Sequence, residues 1–198
     1  STEKSLRRAL RIPEGQKLMV YSGGITFNRG LENILKAVAQ VPEIHFVMMG
    51  FGSETYLDSL RSLISEYNIE SRVDFFGPVE HYEVPQYLSS ADFGVAPIIN
   101  ICLSYYYCSP NKLFEFIQAR LPVISSNFPE MQRVVDEYEI GFTFDPENVS
   151  EIVRAISEMI SDNQRRLMYK ANTDKAAERY NWDIESESLL SHYSKLTA

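Results

Sequence analysis

The sequence is poor in the residues that metal and redox chemistry need. It has two cysteines in 198 residues, Cys102 and Cys108, with five residues between them. That spacing fits no zinc knuckle, and the three histidines, His45, His81 and His192, are too scattered to complete one. Reduced thiols in a cytosolic protein are the expectation, not a disulfide or a metal site. Long apolar runs are missing too. None reaches the ~18 residues that a membrane-spanning helix needs. Positive charge is in the minority: 19 Lys and Arg stand against 27 Asp and Glu, so the net charge is 19 − 27 = −8. An acidic surface repels phosphate backbones, which excludes bulk nucleic-acid binding but leaves room for a local basic pocket. The first residues, Ser1-Thr2-Glu3-Lys4, are polar, without a signal-peptide apolar region, and no initiator methionine precedes them. The expectation is a fragment of something longer. The usual glycine motifs are also lacking. Gly30 is followed by Leu31-Glu32, not by the Lys-Ser or Lys-Thr of a P-loop, and in Gly50-Phe51-Gly52-Ser53-Glu54-Thr55 a threonine stands where a dinucleotide fingerprint has its third glycine.

What is present is ordinary globular material. Hydrophobic residues make up 44% and charged residues 23%, enough for one sizeable core over residues 1–198. Short apolar runs alternate with helix-period segments. Leu18–Tyr21, Ile44–Met49, Val73–Gly77, Phe93–Pro97, Pro122–Ser126 and Gly141–Phe144 read as strands. Between them Leu31, Ile34, Leu35 and Val38 mark one helix face, Leu57, Leu60, Ile64 and Tyr67 a second, and Val149, Ile152, Val153, Ile156 and Met159 a third. Pro110 and Pro129 open further helices. Two more are predicted near the end, from about Asp162 to Tyr180 and from Asp183 to Lys195. Such alternation predicts an α/β, Rossmann-like doubly wound parallel sheet of about six strands with helices on both faces. Ligands bind such sheets beyond the carboxyl ends of the strands. The turns there are 23–29, 50–53, 77–81, 97–111 and 125–129. The segment from Ile98 to Ser109 reads as a loop, long enough to suggest function.

Two turns, Gly23-Gly24 and Gly50-Phe51-Gly52, could offer backbone N–H groups to a phosphate or serve only as tight strand-to-helix turns. Ser109-Pro110-Asn111-Lys112-Leu113-Phe114-Glu115 says more. It sets hydroxyl, amide and ammonium groups at a helix N-terminus, where the helix dipole favours an anion. Lys112 and Glu115 are three apart and share a face, with Leu113, Phe114 and Ile117 expected on the buried side. The face can meet a phosphate at one end and sugar hydroxyls at the other. A surface ion pair between Lys112 or Arg120 and Glu115 is the plainer alternative.

From about Leu18 to Leu196 the chain resembles the C-terminal, donor-binding half of a GT-B glycosyltransferase, of the family-four, glycosyl transferases group one type. The resemblance rests on an ordered set: Gly23-Gly24 with Arg29-Gly30, Gly50-Phe51-Gly52, Val73-Asp74-Phe75-Phe76-Gly77, Ala91-Asp92 through Pro97, Lys112-Leu113-Phe114-Glu115 with Pro122-Val123-Ile124, Pro129-Glu130 and Trp182-Asp183. It implies hexosyl transfer with retention from a nucleotide-diphospho-sugar to a glycan or lipid-linked acceptor, which the absent N-terminal half would bind. Arg29, Lys112 and Glu115 take the catalytic positions. Gly23, Gly24, Arg29, Phe51, Pro78, Val79, Ser109, Asn111, Lys112 and Glu115 take the donor-binding ones. Arg29 and the Asn111 and Lys112 N–H groups would meet the diphosphate. Pro78 and Val79 would meet the nucleobase through their backbone, and Glu115 the ribose hydroxyls. The implied mechanism uses no metal and no cofactor, because cations and helix N-termini stabilise the leaving diphosphate. The implied location is the cytoplasm, with a peripheral association of the full protein with the inner face of the membrane among the expectations, and no nucleic-acid partner. The isolated fragment is expected to turn nothing over.

Two positions depart from the pattern. Gly24 stands where the family often has a second cation, and Tyr107, eight residues before Glu115, replaces the first of two spaced glutamates. Both favour an alternative, a non-catalytic nucleotide-sugar binding or regulatory module. A GT-B-like sugar-nucleotide epimerase is a further reading and would call on Glu80 and His81. A flavodoxin-like signalling domain would need acidic residues where Gly23-Gly24 stands. The tyrosines Tyr105-Tyr106-Tyr107 could stack on a sugar or base, or pack against the missing half.

Overall fold

Each strand of the computed structural model sorts its residues between two cores by alternation. In β1 (Lys17–Ser22), Leu18 and Val20 face one side while Met19 and Tyr21 face the other. The structure describes residues 4–180 together with Ser186, Leu190 and Tyr193. The remaining strands are β2 (Ile44–Met49), β3 (Val73–Phe76), β4 (Phe93–Ala96), β5 (Val123–Ser126) and β6 (Gly141–Phe144). All pairings are parallel, in the order β3-β2-β1-β4-β5-β6. The chain therefore winds outward from β1 to β3, then crosses back to start again at β4. The strand order reverses between β1 and β4, and a crevice opens there beyond their carboxyl ends.

The helices are α1 (Leu6–Leu10), α2 (Leu31–Gln40), α3 (Glu54–Glu66), α4 (Val84–Leu88), α5 (Leu103–Tyr106), α6 (Asn111–Gln118), α7 (Pro129–Tyr138), α8 (Val149–Ser161) and α9 (Asn163–Arg179). The apolar faces of α2, α3 and α8 close one core, and those of α1, α6 and α7 the other. Short polar side chains cap three of the helices. Ser53, Asn148 and Asp162 each accept a backbone N–H at the start of α3, α8 and α9. Of the second terminal helix expected from the sequence, Asp183–Lys195, Ser186, Leu190 and Tyr193 are described, all three helical; its other residues and the Trp182-Asp183 pair lie outside the described residues.

Helix α6 approaches the sheet closely because β4 carries Gly94. A Cβ there would sit 2.6 Å from the Phe116 ring, so the ring lies directly on the strand. Phe116, not Phe114, belongs to the buried face of α6, with Leu113, Ile117 and the Lys112 side chain. Phe114 is partly exposed and packs its ring on Tyr180 at 5.2 Å. The expected face was off because an α-helix turns 100° per residue, and burying Lys112 rotates the inner stripe onto 112, 113, 116 and 117. The stretch from Ile98 to Ser109 is likewise not all loop, since it contains α5.

The Ala91-Asp92 step plays a structural part. The Asp92 carboxylate, 17% exposed, accepts from Arg7 Nη2 at 2.7 Å and from the Leu18 N–H at 2.9 Å, with Lys17 and Arg166 at 3.6 and 3.7 Å. It ties α1, α9 and the amino ends of β1 and β4 together, at the pole of the sheet opposite the crevice.

Candidate functional site

The crevice is built by loops that lean on one another. After Ser22 the chain passes through Gly23, at φ +111°, whose N–H donates to Met49 O at 2.9 Å. Ile25 N–H donates to Phe51 O at 2.7 Å. A Cβ at Gly50 would overlap the Gly23 carbonyl, which accounts for glycine at 50, and the positive φ accounts for it at 23. The turn Gly50-Phe51-Gly52 thus supports the Gly23-Gly24 turn from below, while the Gly50 N–H donates to Phe76 O at 2.9 Å. Phe51, 68% exposed, does not line the cavity.

Arg29 sits between two left-handed residues, Asn28 at φ +66° and Gly30 at φ +68°. Asn28 O accepts from Ile99 N–H at 3.1 Å, fastening this turn to the segment after β4. That segment is held again by Ser126, whose Oγ accepts from Ile98 N–H at 2.8 Å and donates to Ile98 O at 3.0 Å. The Arg29 guanidinium lies over the Tyr105 ring, 5.2 Å from its centroid.

Lys112 enters from the first turn of α6. Its residue is 8% exposed, and its Nζ is buried with no hydrogen-bond partner. The ammonium rests 3.6 Å from the centroid of the Tyr21 ring, whose hydroxyl donates to Gly24 O at 2.6 Å. Burial holds the Lys112 ammonium well below the usual lysine range; nearby Arg29 pushes the same way and Glu115 opposes it. Burial pushes the Cys108 thiol up, partly countered by Arg29 and Lys112. Glu115 makes no ion pair with Lys112 or Arg120. Its Oε2 accepts from Ser22 Oγ at 3.0 Å, while Arg120 faces Asp174.

These groups line a cavity of about 450 Å³: Ser22, Gly23, Gly24, Arg29, Ser109, Asn111, Lys112 and Glu115, with Ile98, Ser104, Tyr105, Cys108 and Pro110. A second depression of about 300 Å³ continues past Glu115 and Asn111 toward His81, Val84, Pro85 and Phe114. Glu115 stands on the ridge between the two. The N-terminus of α6 has no side-chain cap; the Leu113 N–H donates to Pro110 O at 3.0 Å, and Asn111 and Lys112, which open the helix, line the larger cavity. Most of the donor residues expected from the sequence therefore converge. Pro78 and Val79 lie outside both linings, and Val79 packs its side chain against the second core. Glu80 and His81 are exposed, and His81 reaches only the smaller depression. Of the three tyrosines, Tyr105 enters the cavity, Tyr106 packs on Phe128 at 5.3 Å, and Tyr107 is 59% exposed. The ring platform under Lys112 and the Ser22–Glu115 contact were not apparent from the sequence; Tyr21 and Ser22 merely end an apolar run there. A larger depression, about 710 Å³, lies at the amino ends of the strands beside Gly15, Lys17 and Glu43, far from these groups.

A parallel sheet in this order, with two cations and a helix N-terminus at its switch point, defines a Rossmann-like domain whose crevice favours an anion. Residues 2–176 match the family described as glycosyl transferases group 1, and the chain belongs to that family. Over 191 residues it is 24% identical to a glycosyltransferase of Methanocaldococcus jannaschii, covering 96% of this chain and 47% of that protein. It is 22% identical over 201 residues to a D-inositol 3-phosphate glycosyltransferase of Xylanimonas cellulosilytica, covering 98% and 46%. The chain thus spans about half the length of the curated relatives it matches. Its fold is similar to sucrose-phosphate synthase from Thermosynechococcus elongatus, with TM-score 0.86, 23% identity and coverage of 96% of this chain and 48% of that one. It is also similar to Anabaena HepE in complex with UDP-glucose, with TM-score 0.82, 20% identity and coverage of 96% and 51%.

Proposed function

We propose that the chain is the donor-binding half of a retaining glycosyltransferase and takes a nucleotide-diphospho-sugar in the crevice between β1 and β4. The observation that carries this reading is the Lys112 ammonium: buried, without an acceptor, and lining a cavity with Arg29. A buried cation without a counter-charge is costly, and an arriving anion removes that cost. The diphosphate lies between Arg29, Lys112 and the first N–H groups of α6. The ribose hydroxyls donate to Glu115, whose remaining lone pairs suit a vicinal diol. The base points along the smaller depression, toward the backbone of Pro78 and Val79.

In transfer, the bond between the sugar C1 and the diphosphate oxygen breaks, and its electron pair stays on that oxygen. The acceptor hydroxyl oxygen bonds to C1 from the same face, and its proton passes to the departing diphosphate. Arg29, Lys112 and the α6 N-terminus stabilise the charge that grows on the leaving group, the work a metal ion would otherwise do. No cofactor takes part. The acceptor, a glycan or lipid-linked sugar, is bound by the other half of the full-length protein, in the cytoplasm or against the inner face of the membrane. Tyr107 favours a second reading. It leaves the cavity without the carboxylate of the family pattern, as a nucleotide-sugar binding module without turnover would have it.

Calorimetric titration with UDP, GDP and ADP tests the site. Weak binding of at least one is expected, and no heat with any of them up to millimolar concentration refutes the reading. Arg29→Ala should weaken diphosphate binding by about 10- to 150-fold while sparing the nucleoside, the usual worth of one charge-assisted contact.

A further inference from the structure

The two cations of the cavity are held differently from the ion-paired cations of the chain. Arg7, Arg133 and Arg166 each face a carboxylate, at 2.7, 3.1 and 3.7 Å, and Lys4, Arg61, Arg165 and Arg179 lie over aromatic rings but each faces a carboxylate as well. Arg29 and Lys112 face none among the described residues. Each is seated instead on a tyrosine ring, Arg29 on Tyr105 at 5.2 Å and Lys112 on Tyr21 at 3.6 Å.

The difference has a chemical consequence. A carboxylate fixes a guanidinium by accepting its N–H groups and cancelling its charge, so an incoming anion must displace it. An aromatic face attracts the cation through its quadrupole and accepts no in-plane N–H. The guanidinium is held in place with its donors and its charge intact.

We propose that Tyr105 is a positioning residue for anion binding, its ring face holding the Arg29 guanidinium in the cavity with the N–H donors turned to the ligand. The inference rests on the donor-site reading above. The backbone supports it independently. Asn28 O accepts from Ile99 N–H, so the turn bearing Arg29 is tied to the segment that carries Tyr105. Tyr105 lies in α5, and the next residue anchors that short helix by packing on Phe128. Tyr105 is itself partly buried against the second core, so the ring stays where the guanidinium needs it.

The test uses UDP, GDP and ADP, each beside its own nucleoside, titrated into the chain and its variants. Tyr105→Phe keeps the ring and is expected to bind within about twofold of the parent, whereas Tyr105→Leu loses about three- to tenfold in diphosphate affinity, the range of a partly exposed cation–ring contact. Nucleoside affinity does not move. In an Arg29→Gln background, Tyr105→Leu costs nothing further. Phenylalanines of increasing fluorination at position 105 preserve shape while draining the ring's negative face, so they bypass any folding defect of the leucine variant. Diphosphate affinity is expected to fall stepwise along that series. A flat response along the series overturns the proposal. So does a loss shared equally by the nucleoside, which would mean that Tyr105 stacks on the ligand, and so does a loss that persists without Arg29. If none of the three nucleotides binds the parent chain, it is the donor-site reading that fails.

Discussion

Replacing Lys112 by methionine should make the protein more stable and remove its affinity for diphosphate. The ammonium is buried, its Nζ has no hydrogen-bond partner, and its only close compensation is the Tyr21 ring at 3.6 Å. Burying an ammonium costs several kcal/mol even after relaxation. The ring returns up to about 2 kcal/mol, and the Glu115 carboxylate, already engaged by Ser22, returns part of the rest. Methionine keeps the length of the side chain and its contact with the ring without the charge. We expect a gain of roughly 1–2 kcal/mol at pH 7, read by urea unfolding, or about 2–4 °C in Tm per kcal/mol for a domain of this size. The pH dependence gives the sign. Because the folded-state pKa of Lys112 is lowered, the unfolded chain binds the extra proton between that value and the ordinary lysine value of 10.5. Stability of the parent therefore rises with pH across that window, by at most about 1.4 kcal/mol per pH unit. Groups common to both proteins cancel, so the advantage of the methionine variant should shrink between pH 7 and pH 10. A less stable variant, or a difference that does not change with pH, would refute the account of Lys112 as a buried, uncompensated cation.

Glu115→Gln should weaken binding of UDP, and the 2′,3′-dideoxy nucleotide should bind more weakly to the parent; if the two losses simply add, the carboxylate and the ribose do not meet. Asp92→Ala strands Arg7 and Arg166 at the far pole, and a loss of roughly 3 kcal/mol in urea unfolding is expected with nucleotide affinity in the folded protein unchanged. Gly94→Ala drives a methyl into the Phe116 ring, so a loss of about 1–3 kcal/mol should accompany weaker diphosphate binding as α6 shifts; unchanged binding would separate helix placement from the site.

The fold was legible because strand and helix periods are strong signals here. Runs such as Ile44–Met49 and the stripe through Ile152, Ile156 and Met159 declare buried strands and one helix face with little competition. Arg29, Asn111, Lys112 and Glu115 do line one cavity; the last three were singled out by polar residues at a helix start, and Arg29 by the family resemblance. What periodicity misses is set by contacts distant in sequence. Phe116 is buried because Gly94 makes room for it, and Gly50 is glycine because its backbone packs against Gly23. The tyrosine platforms escaped for the same reason. Tyr21 reads as the end of a core strand and Tyr105 as one of three like neighbours, and only the fold reveals which cation each ring meets.

The segment after β4 is fastened at both ends, by Ser126 and Asn28 to Ile98 and Ile99, and by the packing of Tyr106 on Phe128. Between these moorings, residues 100–104 are exposed, and Ser104 reaches the cavity. Leu103 and Ser104 already belong to α5, which presents Tyr105 to Arg29, so the part free of both moorings is residues 100–102. Substitutions there that keep the chain length would change the rim of the crevice while leaving the sheet, α5 and the two cations in place, which makes those three positions the interchangeable part of the domain.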